Sequence, residues 1–114
     1  MRCEQLEVWK RSRQMTIEIY RMSGSIKDYG FRDQITRSCL SIPSNIAEGF
    51  EKSYEKEKAR YLTISKGSLG EFKTQLDIGI EVGFIPKKQG KLWMKESEIL
   101  SRMLGNLIKK LKST

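Results

Sequence analysis

The side chains able to do chemistry in this 114-residue chain are few. It contains no histidine, which removes Ser-His-Asp and Cys-His catalysis, His-ligated zinc and the usual pH switch together. Cys3 and Cys39 are the two cysteines and form no CxxC; they read as free thiols of a reducing cytosol, and alone they cannot build a zinc site. Glu48, Glu71 and Asp77 offer carboxylates that helices could bring together, but the Glu-x-x-His pairs of a di-iron bundle are missing. The "KGSLG" stretch at 66–70 lacks P-loop spacing, and a serine elbow there would have no base. The expectation is a protein that is not an enzyme and uses no metal and no cofactor.

What remains is charge. The net charge is +8 and unevenly placed. Residues 1–27 hold six Lys/Arg against three acids, 28–86 hold eight against nine, and 87–114 hold eight against two. Lys88, Lys95, Arg102 and Lys109 recur every seven residues, with Lys91 and Lys112 flanking them and no acid on that line. On a helix such a line drifts only about 20° per step. Cations on one face neutralise phosphates and release counterions, giving salt-sensitive binding to RNA or DNA without base readout. Lys10, Arg11, Arg13 and Arg21 would extend the patch if the first and last helices are neighbours. The plainer account of the same residues is a solvated lysine face.

The elements that must carry this line read as helices, with no useful strand alternation. The first spans about 5–23 and stops at Ser23-Gly24-Ser25, where glycine suits a left-handed turn. The second starts near 29–31 and keeps Phe31, Ile35, Cys39, Ile42, Ile46 and Phe50 on one face. The third follows Ser53 as N-cap, with Glu55 and Glu57 in its first turn, and continues through Leu62, Ser65, Leu69, Phe72, Leu76 and Gly79 to Gly83 and Pro86. The fourth, about 87–112, aligns Trp93, Leu100, Leu104, Leu107 and Leu111, a line widened by Ile99, Met103 and Ile108. Short connections favour antiparallel neighbours. The expected fold is all-α: one domain over 1–114, an up-down-up-down four-helix bundle.

Two local features need explanation. Pro43 falls inside the second helical pattern and leaves the Cys39 carbonyl without its donor. The apolar face agrees on both sides of it, which favours one kinked helix over a new start at Asn45, where Asn45-x-x-Glu48 resembles a capping box. Gln34, Arg37, Ser41, Asn45, Glu48 and Lys52 form a polar stripe on that helix, either a solvated outer face or a contact surface. The third helix carries Ser65, Gly67, Ser68, Gly70 and Gly79; close helix–helix approach, within the bundle or between subunits, would compensate for the glycines. Trp9, Tyr20, Tyr61, Phe72 and Trp93 read as core, not as base-stacking platforms.

"LEVWK" at 6–10, "IY" at 19–20, "DQITRSCLSIPSNIAEGF" at 33–50, "GSLGEFKTQLDIG" at 67–79 and "GFI" at 83–85 together resemble the bacterial four-helix-bundle family encoded in intervening sequences of 23S ribosomal RNA genes. The most specific marker is Ser41, Pro43, Ser44, Asn45, Glu48 and Gly49. Ser12, Ser38 and Cys39 stand where that family often has alanine, and 87–114 match in character only. The resemblance implies a left-handed bundle, a homopentamer, and kinship with the accessory proteins of diversity-generating retroelements, which bind nucleic acid through a basic surface. It implies no enzyme.

The main functional expectation is a homo-oligomeric bundle binding RNA or DNA through Lys88, Lys91, Lys95, Arg102, Lys109, Lys10 and Arg13. The alternative is a structural or protein-interaction module with a protein partner and no specific nucleic-acid role. No run of 18 apolar residues and no signal-peptide core occurs, so the expected location is the cytoplasm, without a membrane.

Overall fold

The computed structural model describes residues 6–113, so Cys3 lies outside the described residues. The chain forms four helices: α1 (Glu7–Ser23), α2 (Tyr29–Phe50), α3 (Glu55–Glu81) and α4 (Lys87–Lys112). They pack in the cyclic order α1, α2, α3, α4, with α1 against α4 the sparsest seam. No strand occurs among the described residues, and none of their helices is long and apolar enough to cross a membrane.

Amphipathic periodicity places one buried line from each helix in a common core. Val8, Met15 and Ile19 of α1 meet Ile35, Cys39, Ile42 and Ile46 of α2, Leu62, Leu69, Phe72 and Leu76 of α3, and Trp93, Leu100 and Leu104 of α4. Leu107, Ile108 and Leu111 pack against this core only partly buried. Tyr20 departs from the expected core role: it is 45% exposed, on the outer side of α1 in a shallow cleft with Arg37 and Leu40.

Helix ends differ from expectation in two places. Gly24 keeps φ −59°, right-handed; α1 is closed instead by tight backbone bonds from Ser25 N–H to the Met22 carbonyl and from Ile26 N–H to that of Ser23. The N-cap of α3 is Tyr54, without a side-chain cap bond, and not Ser53. The helix starts one residue later, where the Tyr54 carbonyl takes the first bond from Lys58. Asp28, which the apolar pattern does not flag, caps α2 by accepting from Phe31 N–H at 3.0 Å. Gly83, at φ +83°, makes the left-handed turn after α3.

Helix α2 runs unbroken through Pro43, so a restart at Asn45 is excluded. Proline supplies no N–H to Cys39, and here five consecutive carbonyls receive side-chain donors. Ser41 Oγ donates to Ser38 O at 2.8 Å, Thr16 Oγ1 to Cys39 O at 3.3 Å and Ser44 Oγ to Leu40 O at 2.8 Å. Asn45 Nδ2 donates to Ser41 O at 2.8 Å and Ser65 Oγ to Ile42 O at 2.8 Å. Thr16 shares its one proton between Cys39 O and its own helix, where Ser12 O lies at 2.7 Å. Two of the donors, Thr16 and Ser65, come from α1 and α3.

Three glycines mark close approaches. A Cβ on Gly79 would lie 2.7 Å from both Ile85 Cδ1 and Phe31 Cζ, one on Gly90 2.5 Å from Ile80, and one on Gly49 3.0 Å from Tyr61 Cβ and 3.3 Å from the Lys58 carbonyl. Close packing therefore explains Gly79 in α3 but not Gly67 or Gly70, which would meet nothing within 4 Å.

Two stability measurements follow from this packing. Thr16→Val should destabilise the protein by about 1–3 kcal/mol in urea unfolding, because a buried carbonyl loses its donor. In a Pro43→Ala background the penalty should shrink, since the substitution restores a backbone N–H that can serve the Cys39 carbonyl; strictly additive effects would show that the two positions are not coupled. Gly90→Ala should cost about 1–3 kcal/mol by overpacking, whereas Gly70→Ala should stabilise by about 1 kcal/mol through helix propensity alone.

Candidate nucleic-acid interface

The buried line of α4 runs through Gly90, Trp93, Ser97, Leu100 and Leu104. Lys88, Lys91, Lys95, Arg102 and Lys109 lie on the opposite side, all exposed. Seven residues of helix rise about 10.5 Å, so the four in-register cations stand at roughly that interval along a straight edge of the molecule. Among the described residues, ion pairs hold Arg11 and Lys52 but none of these five. One acid does stand beside the line: Glu98, exposed, three residues after Lys95 and four before Arg102, where helical spacing sets it next to both.

The α1 extension forms only in part. Arg11 reaches α4, but its guanidinium forks onto the Glu96 carboxylate at 2.9 and 2.7 Å. That hydrogen bond, opposed in part by desolvation, raises its pKa above the ordinary guanidinium value. Its charge is engaged within the protein. Lys10, Arg13 and Arg21 are exposed. Arg13 is two residues beyond Arg11, about 200° further around α1, so it turns away from the α1–α4 seam. The same seam holds a cleft of about 550 Å³, floored by Met15, Trp93 and Ile99 and rimmed by Glu18, Lys95 and Glu96. The Trp93 indole N–H donates to Glu18 Oε1 at 2.9 Å, so this ring is committed to the core and to α1.

One cation escapes a reading by segments. Lys66 of α3 lies in the stretch without excess charge, yet its Nζ sits 3.5 Å from where a Cβ of Gly105 on α4 would be. The sequence does carry a signal: Gly105 falls three residues after Arg102 and four before Lys109, a bare position within the basic line.

The Ser-Ile-Pro-Ser-Asn stretch has an internal job. Ser41, Ser44 and Asn45 all turn their polar atoms onto carbonyls of α2 itself. Glu48 is exposed and pairs with Lys52 at 3.2 Å, and Gly49 admits α3. Pro43 is buried. The nearby Cys39 thiol is buried and its pKa is pushed up to about 12, first by desolvation and in the opposite sense by its hydrogen bond with Thr16. It is not a nucleophile. Among the described residues, no group of three or more Cys, Asp or Glu is arranged to hold a metal ion.

The sequence matches the family described as 23S rRNA-intervening sequence protein over residues 4–106. A crystal structure from Bacteroides thetaiotaomicron, of a protein of unknown function from the S23 ribosomal protein family, superposes with a TM-score of 0.85. The two are 23% identical, and the match covers 90% of this chain and 98% of the other. At that identity the likeness speaks for the fold. No curated protein matches the chain.

Burial of Cys39 makes a pH prediction. The folded thiol stays protonated to about pH 12, above its ordinary 9.0, so the native state holds a proton that the unfolded chain releases. That contribution is fully present below pH 9 and is lost as pH rises from 9 towards 12. In a Cys3→Ser background, the thiol should react with a disulfide reagent at pH 8 only at the rate of unfolding. Cys39→Ala should flatten the fall in stability above pH 9; immediate labelling of the native protein would contradict the buried placement.

Proposed function

The chain belongs to the 23S rRNA-intervening sequence protein family, and on that premise we propose that it is a non-enzymatic, homo-oligomeric helical bundle whose basic face binds nucleic acid. The observation that carries this reading is the row of five exposed cations on α4, Lys88, Lys91, Lys95, Arg102 and Lys109, none of them ion-paired among the described residues. A rigid helix holds their spacing, and contacts of this kind read phosphate and not base. The RNA or DNA would be bound without sequence preference. Lys10 adds charge from α1, and Arg13 adds it from further around the same helix.

The finer architecture belongs to the same reading. Residue pairs across α1 and α4 run in opposite senses, Arg11 with Glu96 and Glu18 with Trp93, which supports an up-down-up-down bundle; its left-handed turn rests on the resemblance to the family. The lost donor at Pro43 supports a kink there. Subunit contact, in a pentamer by resemblance to the family, is supported by apolar side chains left in water: Leu92 at 57% and Ile78 at 48% exposed. The open glycines Gly67 and Gly70 would let a second subunit approach α3. The cytoplasm is the compartment for such a protein, and kinship with accessory proteins of diversity-generating retroelements fits a basic bundle that serves another activity.

The second reading is a protein-interaction module, favoured by the α1–α4 cleft with Leu92 at its edge. Light scattering behind size exclusion should give several subunits per particle; a strict monomer would sink the assembly claim. Binding to a structured ribosomal RNA fragment should weaken steeply with salt. The double variant Lys95→Glu with Arg102→Glu should weaken it at least tenfold. Unchanged binding in that variant, or none from the parent in low salt, would favour the interaction module.

A further inference from the structure

Glycine is the least favoured of the ordinary residues in a helix interior, so each of the two in α4 needs a reason. Gly90 has one, since Ile80 occupies the space of its missing side chain at 2.5 Å. Gly105 has no such neighbour. Among the described residues, and apart from its own helix backbone and chain neighbours, the one atom within 4 Å of its would-be Cβ is the Lys66 ammonium at 3.5 Å, an ordinary contact distance that would tolerate alanine. Packing therefore does not account for Gly105, and the remaining physical use of a bare helical position is close approach of something outside the fold.

The surroundings define what approaches. Helical spacing sets Arg102 about 4.5 Å before Gly105 along the axis and Lys109 about 6 Å after it, and Lys66 closes the third side from α3. Three cations from two helices thus surround a notch with no side chain at its floor. Glu98 stands beyond Arg102, about 10.5 Å along the axis from Gly105. We propose that this notch, ringed by Lys66, Arg102 and Lys109 with Gly105 as its floor, seats a phosphate of the bound polynucleotide more closely than any other part of the basic face. The proposal rests on the nucleic-acid reading above and adds Lys66 and Gly105 to it. A phosphate fits because its charge is compact and its oxygens accept from several donors at once, the guanidinium fork and two ammonium groups. A solvated lysine face has no need of a bare position or of a cation contributed from a second helix.

The test is a titration of a fluorescein-labelled 24-base-pair DNA duplex at several salt concentrations. Lys66→Gln should weaken binding severalfold and lower the salt slope by about one, as expected for one lost phosphate contact. Lys27→Gln, the same charge change in the α1–α2 connection, should do markedly less. Gly105→Leu should weaken binding at unchanged net charge, and Gly105→Ala should change it little; circular dichroism and melting verify that each variant is folded. If Lys66→Gln and Lys27→Gln behave alike, or folded Gly105→Leu binds as the parent does, the notch is overturned while the basic face stands. If the parent binds no duplex and no single strand in low salt, the nucleic-acid reading itself falls, and the notch with it.

Discussion

The structure depends on how α2 satisfies its own backbone around Pro43. A buried carbonyl without a donor is costly, and proline creates one in the middle of a 22-residue helix. The answer is local and tertiary at once. Ser41, Ser44 and Asn45 serve carbonyls of their own helix, while Thr16 and Ser65 reach in from α1 and α3. Each of those cross-helix bonds fixes the rotation and height of a neighbour against α2, which non-directional apolar burial alone does less sharply. A third such link is Ser38 Oγ, which donates to Gln75 Oε1 at 2.6 Å. Ser41, Ser44 and Asn45 belong to the Ser-Ile-Pro-Ser-Asn stretch and Thr16 and Ser65 lie on the neighbouring helices, so polar positions that look decorative in the sequence set the geometry of three helices.

From α2 the order propagates by close contact. Gly49 lets α3 approach at Tyr61, and Gly79 receives Ile85 and Phe31. Gly90 then seats the start of α4 on Ile80. The seam between α1 and α4, which closes the cycle, relies on polar ties, Arg11 with Glu96 and Trp93 with Glu18. Such part-exposed ties add little stability compared with apolar burial, and a cleft of about 550 Å³ follows that seam. Helix α4 packs more extensively on α3 than on α1, Lys66 joins the cations of α4 from that side, and the α1 contribution is the weaker half.

Much of the fold is legible in the sequence because amphipathic period is a strong signal over helices this long. The apolar lines of α2, α3 and α4 name the core correctly down to Leu62, Phe72, Leu76, Leu100 and Leu104. Local chemistry was less legible. Ser53 looks like the better cap by propensity, but Tyr54 is where the chain turns helical. Gly24 permits a left-handed turn without needing one. Tyr20 sits one residue from Ile19, and only packing shows that its ring stays outside.

The sequence by itself determined an all-α chain of four helices, a continuous α2, an excess of positive charge at the chain ends and the family. All of these depend on residue type and on spacing within a single helix. Only the tertiary structure decided which cations stand together. It tied Arg11 to Glu96, turned Arg13 away from α4, and brought Lys66 from the charge-balanced middle of the chain to Gly105 on α4. Position along the chain says nothing about which face of a neighbouring helix a long side chain will cross; that follows from the rotation each helix takes when its buried line meets the common core.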